Sequence, residues 1–295
     1  ANSWMQTPAG FKLEGGRAVL TDFFQAAVNH STLVRYLHTM LGGWMTGSLL
    51  AAAVASWYFL KKRHLPQAKL LLKTGLLVFI VSSFLQLGSG HAHSIQVAET
   101  QPEKMAAFEA LWETTEGAPY AVFGIPDKKE QKTHLFLGLP KFLSFLIHFD
   151  PNAEVTGLNA FPEDEQPPVL IPFGSYHLMI LLGMIFILIS VFGLVLLFRK
   201  KIDRSRRFLK LLLFAVPLPY LANELGWVAA EVGRQPWAVF RVLRTADAVS
   251  KVVPAGQILF SLILFVAVYS LIGAVGISVL FKTIKKGPAN LEPNV

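Results

Sequence analysis

The chain has no cysteine among its 295 residues. Disulfides, thiolate-held zinc or iron–sulfur centres and cysteine nucleophiles are therefore excluded. Charge is also scarce: Asp, Glu, Lys and Arg make up 16% of the chain. Hydrophobic residues make up 53%, and the mean hydropathy is +0.47. That level fits a multi-span membrane protein and not a soluble domain. The opening, ANSWMQ, lacks an initiator Met, and it lacks the basic start and short apolar core of a signal peptide. It reads either as Met removal or as the downstream part of a longer polypeptide. No internal repeat is found. Eight histidines are the obvious candidates for metal or haem ligation.

The net charge of +8 conceals an asymmetry. Between His91 and Pro172 there are 12 Asp+Glu and 5 Lys+Arg; the rest of the chain holds 22 Lys+Arg and 7 Asp+Glu. The basic residues stand in short clusters beside apolar runs, which is a membrane-orientation signal and not a nucleic-acid one. Residues 1–32 read as an interfacial segment. Two apolar runs, 33–60 and 68–90, follow within a 33–90 unit. An acidic, proline-broken segment over 91–172 has no spanning run. Three more runs, 173–198, 208–230 and 256–281, lie within the last unit, 173–295. Each run is long enough to cross a hydrocarbon core of about 30 Å. The fold class predicted is an all-α, polytopic membrane helix bundle with about five transmembrane helices and one long extracytoplasmic loop. Lys61–His64, Arg199–Arg207 and Lys282–Lys286 are placed in the cytoplasm, which leaves the N-terminus and the acidic loop outside.

Within the loop, Thr100-Gln101-Pro102-Glu103 has capping-box spacing and predicts a helix start. Glu163–Pro168 reads as a flexible exit. His91 and His93 are expected at a helix end, solvated, while His30, His134 and His148 look peripheral.

The stretch Ala222–Trp237, ANELGWVAAEVGRQPW, carries the most chemistry. Glu224, Trp227 and Glu231 share one helix face, and Arg234 follows three residues after Glu231. A carboxylate inside a span is costly and marks a functional site by default. Two readings stand: a structural Glu231–Arg234 ion pair, or a cofactor or proton site. With the topology above, His38, Met179 and Glu231 lie on three helices at similar depth near the outer face, the arrangement by which helix bundles hold cofactors. A His/Met pair is a recognised axial set for haem. Against this, His38 reads equally as hydrogen-bonded to a neighbouring helix, and Met179 as packing.

These residues and their neighbours resemble subunit I of cytochrome bd-type quinol oxidases, in its downstream part. The matching pieces are Asn2-Ser3-Trp4-Met5-Gln6, Arg35-Tyr36-Leu37-His38-Thr39, Gln101 through Glu109, Phe123-Gly124-Ile125-Pro126-Asp127, and Gly226-Trp227 with Glu231 and Gly233-Arg234-Gln235-Pro236-Trp237. The resemblance implies that His38 and Met179 are the axial ligands of a low-spin haem b and that Glu231 is the ligand of a high-spin haem b. It places Trp227 among the haems and Arg234 beside haem propionates. It puts Lys104 and Glu109 in a quinol-binding loop, where a solvated helix surface is the plain alternative. Glu224 is left as a proton-transfer candidate. His177 stands where the family commonly has arginine.

The resemblance further implies quinol oxidation outside, electron passage through haem b to haem d, and reduction of dioxygen to water. The block of spans carrying the haem d ligand is expected on another polypeptide or fragment, so this chain alone is expected to be inactive. Subunit II, small single-span subunits and membrane lipid are the other partners implied, in a bacterial cytoplasmic membrane; no nucleic acid is. The alternatives are a non-oxygenic haem-b quinol dehydrogenase module and a proton-coupled transporter using Glu224 and Glu231.

Overall fold

The computed structural model describes residues 2–288. Its elements begin with α1 (Asn2–Gln6), the hairpin β1 (Phe11–Glu14) and β2 (Arg17–Leu20), and α2 (Phe23–Ala27). Two long helices follow, α3 (Thr32–Lys61) and α4 (Leu65–Thr100). The loop region contains α5 (Pro102–Glu109), β3 (Thr115–Glu116), β4 (Tyr120–Asp127), β5 (Lys132–Leu139), α6 (Phe142–His148) and β6 (Glu154–Val155). Then come α7 (Leu170–Phe198), α8 (Arg206–Ala215), α9 (Pro217–Val232), β7 (Trp237–Val239), β8 (Leu243–Arg244) and α10 (Ala255–Lys286).

The protein is mostly helical, and all five apolar runs became helical, four as single long helices and the fourth as the consecutive helices α8 and α9. Four of them meet both the length and the apolar character needed to cross a membrane: α4, α7, α8 with α9, and α10. The remaining one, α3, is 30 residues long but carries more small and polar residues. That composition serves packing. A Cβ on Gly75 of α4 would stand 3.0 Å from both the Ala52 nitrogen and the Ser48 oxygen of α3, so glycine lets the two backbones close up, the usual device between membrane helices. Lys62 and His64 both adopt left-handed conformations and make the short turn between them. The main core gathers Leu49 and Ala52 of α3, Leu72, Leu76 and Phe79 of α4, Phe186 and Ile189 of α7, and Phe208 and Leu212 of α8.

Several expectations need correction. The helix expected to end at Gly90 runs to Thr100, so His91 and His93 lie within it and not at a solvated end. The acidic loop is not all coil and helix: β4 and β5 pair antiparallel through a bulged register. No capping box forms at α5, because Gln101 is the N-cap without a side-chain cap bond, while the Thr100 hydroxyl bonds to the Gln96 carbonyl. Glu163–Pro168 is pinned and not a free exit: Arg244 Nη2 meets Asp164 Oδ2 at 2.7 Å, and the Gln166 amide donates to Leu158 and Phe161 carbonyls. The proline-rich fourth run does break, into α8 and α9 around Val216. There Asn223 Nδ2 donates to the Pro219 carbonyl at 2.8 Å.

α1, the loop region and the β7–β8 hairpin gather at one end of the bundle, and the turns at Lys62–His64 and Arg199–Ser205 lie at the other. Every candidate residue belongs to the first end or to the helix turns just below it.

Candidate functional site

Glu231 ends α9 in a polar corner. Its Oε2 accepts from Arg234 Nη2 at 2.6 Å, and its Oε1 accepts from Asn2 Nδ2 at 2.6 Å. Arg35 of α3 donates to the Asn2 side-chain oxygen. The ion pair expected from the i,i+3 spacing is thus present, and α1 joins it from 229 residues away. Arg234 is 4% exposed, and its Nη1 has no partner among the described residues. Trp227 is half exposed on the same helix. Glu224 is exposed, and among the described residues no hydrogen bond or ion pair reaches it.

His38 turns towards α4. Its Nδ1 lies 3.1 Å from Ser89 Oγ and its Nε2 lies 3.0 Å from Gln86 Nε2. Gly90 leaves room for the ring, since a Cβ there would stand 3.3 Å from His38 Cε1. His93, one turn further along, meets His38 edge-on with ring centroids 5.6 Å apart. Its Nε2 is buried without a partner. Met179 on α7 packs instead against α9, with its sulfur 3.0 Å from where a Cβ on Gly226 would be. His38 and Met179 are therefore held by different neighbours and not by each other.

Lys104 and Glu109 overturn the solvated-surface alternative: they are 2% and 3% exposed. Lys104 Nζ donates to the side-chain oxygens of Gln6 and Gln101. Burial, and then the charges of Arg35 and Arg234, hold the Lys104 ammonium well below its ordinary pKa, against the pull of Glu231 and Glu103. Glu109 Oε2 accepts from the Ala121 N–H at 3.1 Å, and its Oε1 has no partner. Burial pushes its carboxyl up from 4.5 to about 8, with the Ala121 bond pulling the other way.

His177 sits beside Glu109, with Nε2 3.8 Å from Oε2. Its Nδ1 faces the Phe173 carbonyl at 2.9 Å and its Nε2 faces the Ala121 carbonyl at 2.6 Å. A neutral imidazole carries only one N–H, so it can donate to only one of these two carbonyls. The ring also stacks on Phe173 at 4.2 Å. Nearby, Tyr176 stacks on Phe108 at 4.5 Å and bonds Ser94 through its hydroxyl at 3.2 Å. Burial and then Glu109 raise the Tyr120 hydroxyl above its ordinary pKa. Between these groups lies a cavity of about 40 Å³, lined among others by His91, Glu109, Tyr120 and Tyr176.

Sequence reasoning missed Asn2, Gln6, Arg35, Tyr120 and Tyr176, and it left His91 to solvent. Only Asn2, Gln6 and Arg35 carried a signal, as parts of the matching pieces.

Fold and site together define a polytopic helical membrane protein with buried ionisable and ligating side chains at one end of its bundle. The particular family follows from comparison: residues 1–288 match the model described as cytochrome bd terminal oxidase subunit I, and the chain belongs to that family. It is 34% identical over 297 residues to the cytochrome bd ubiquinol oxidase subunit 1 of Bacillus subtilis, covering 97% of this chain and 64% of that protein. It is 28% identical over 362 residues to the cytochrome bd-II ubiquinol oxidase subunit 1 of Escherichia coli, covering 99% and 70%. That span exceeds this chain's own length, so the E. coli relative carries insertions absent here. The solved bd oxidase from Geobacillus thermodenitrificans superposes with a TM-score of 0.88 at 31% identity, over 97% of this chain and 66% of the other. The chain thus spans about two thirds of the length of these relatives.

The family implies haem, and the residues here fit it. An imidazole, a thioether and a carboxylate are all suitable iron ligands, each on a different long helix. Among the described residues, Arg234 Nη1 and His93 Nε2 are buried polar atoms without partners, of the kind that a bound group satisfies.

Proposed function

We propose that the chain is the quinol-oxidising, haem-b-holding part of a membrane quinol:dioxygen oxidoreductase. The observation that carries this reading is Glu109, a buried carboxyl with one free oxygen, facing a cavity walled by tyrosines at the ends of two long helices. A quinol hydroxyl must lose its proton as its electrons leave, and a base with a pKa near the working pH takes it most effectively. Glu109 Oε1 accepts that proton. Lys104, on the same short helix, is the second quinol-site residue, a buried donor that ties α5 to Gln6 and Gln101.

His38 and Met179 would hold the low-spin haem b and Glu231 the high-spin haem b. When bound, the haems supply one-electron acceptors between quinol and haem d. Ser89 meets the His38 ring at Nδ1, the kind of second partner that a ligating histidine ordinarily has. Gly226 keeps space for the Met179 sulfur. Arg234 fixes the Glu231 carboxylate through Nη2, and Trp227 offers an apolar face beside it. Glu224 is the proton-transfer candidate on the open side of α9. Haem d, with its ligand, belongs to the remaining part of subunit I. Subunit II and small single-span subunits complete the complex in the bacterial cytoplasmic membrane. The loop end faces outward, so quinol protons leave outside while those for water come from inside.

Reduced-minus-oxidised spectra of the purified complex test this. Met179→Leu loses the low-spin haem b signal and Glu231→Ala the high-spin one. Glu109→Gln keeps both signals and lowers quinol oxidation by about a hundredfold, the range for a general base. A wild-type complex with haem b and no haem d would point to the non-oxygenic module, and a colourless one to the transporter.

A further inference from the structure

The cavity at Glu109 is too small for the substrate that the proposed function gives it. Its volume of about 40 Å³ is room for roughly one water molecule, whereas ligand pockets run to about 300–1,000 Å³. One wall therefore moves. Four of the five elements around the cavity are ill suited to do so. His91 and Ser94 belong to α4, and Tyr176 belongs to α7, both long helices anchored in the main core. Met105 and Glu109 belong to α5, which is buried from Glu103 to Glu109. Tyr120 belongs to β4, which is paired along its length with β5 and tied to Glu109 through the Ala121 N–H.

The fifth element is α6. Leu143, Leu146 and Ile147 all line the cavity, and all come from this one short helix. Its other face is apolar too: Phe142, Phe145 and Phe149 are 37%, 44% and 67% exposed. The residues bounding it, Lys141 and Phe149, both have positive φ, at 63° and 56°. One polar side chain fastens it from within. Ser144 Oγ accepts from the Ala118 N–H at 2.7 Å and donates to the Ala153 carbonyl at 2.7 Å.

We propose that α6 is the door of the quinol cavity and that its outer face lies in lipid, so that quinol enters sideways from the bilayer. The inference rests on the function proposed above. The argument for lipid is depth. The cavity lies at the ends of two membrane-crossing helices, α4 and α7, so the outside of its third wall is at the same level. The first turn of α7 is apolar and open as well: Leu170 and Ile171 are more than half exposed. Phenylalanines at that level suit the bilayer boundary, and the isoprenoid tail of a quinol remains there while its ring passes inward.

The chain has no cysteine, so engineered ones are unique within it. In Ala118→Cys/Ser144→Cys, an oxidised disulfide replaces the Ser144 latch and bolts the door. In the purified complex, oxidising this variant is expected to lower quinol oxidation at least tenfold, and reduction with a phosphine is expected to restore it. A bolted variant that turns over quinol at the wild-type rate overturns the door and leaves the proposed function standing. A wild-type complex that cannot oxidise quinol overturns the function itself. Independently, a fluorophore on Phe145→Cys, with labelled wild-type complex as the blank, is expected to be quenched by phosphatidylcholine vesicles with brominated acyl chains. The same label on Lys128→Cys, at the β4–β5 turn, is not. No quenching at residue 145 shows that another chain or water covers α6 and overturns the lipid-side entry, whether or not the double variant folds.

Discussion

Glu109 concentrates the chemistry of the site in one side chain, and its titration has opposite consequences for turnover and for stability. Its carboxyl is raised from 4.5 to about 8 by burial. As a base it works only when ionised, so quinol oxidation is expected to rise between pH 6 and 9 with a midpoint near 8, and Glu109→Gln should abolish that rise. Stability moves the other way. Between pH 4.5 and 8 the native chain holds a proton that the unfolded chain has released, so stability falls as pH increases through that window. Unfolding midpoints measured across it are expected to be flatter in Glu109→Gln. Gly226 offers a second test at this scale. A methyl group there would stand 3.0 Å from the Met179 sulfur, so Gly226→Ala is expected to leave the helix intact and shift the sulfur by a few tenths of an ångström. The low-spin haem b band should weaken while the high-spin band stays. The sequence already placed Glu231 and Arg234 within reach of each other, because i,i+3 spacing on a helix is local geometry. It could not place Lys104 or Glu109 inside, because what covers them comes from Gln6, Ala121 and Tyr176, all distant along the chain.

At the level of elements, the apolar runs announced every long helix, since an uninterrupted hydrophobic stretch leaves the backbone few alternatives in lipid. Their ends were less legible. The helix α4 continues past Gly90 because His91, His93 and Ser94 are supported by α3, α6 and α7, contacts that a hydropathy reading does not contain. The β4–β5 hairpin was readable in principle: Tyr120–Asp127 and Lys132–Leu139 are rich in β-formers on either side of a polar turn. The close approach of α3 and α4 gives the testable claim here. Gly75→Leu forces a side chain against the α3 backbone at Ser48 and Ala52, where nothing flexible can yield. The expected cost is about 1–3 kcal/mol, seen as earlier thermal loss of the haem spectrum, whereas substitution at Gly88, with no neighbour within 4 Å, should be neutral.

For the whole molecule, α10 stands apart. None of its 32 residues is buried. Its ties at the far end of the bundle are Tyr58 donating to the Ile284 carbonyl and Gly287 lying against His64. Removal of residues 255–288 is therefore expected to leave both haem b signals in place and to reduce co-purification of the other subunits. The polar corner has the reverse character. Asn2 bonds Glu231 across 229 residues, and Gln6 receives Lys104 and donates to the Ala230 carbonyl. A ribosome makes the two halves of that corner 229 residues apart. The helix α1 must wait at the membrane, its amides open, until that intervening stretch has been made. Assembly of the Glu231 site is thus timed by translation, and it closes only when α9 arrives.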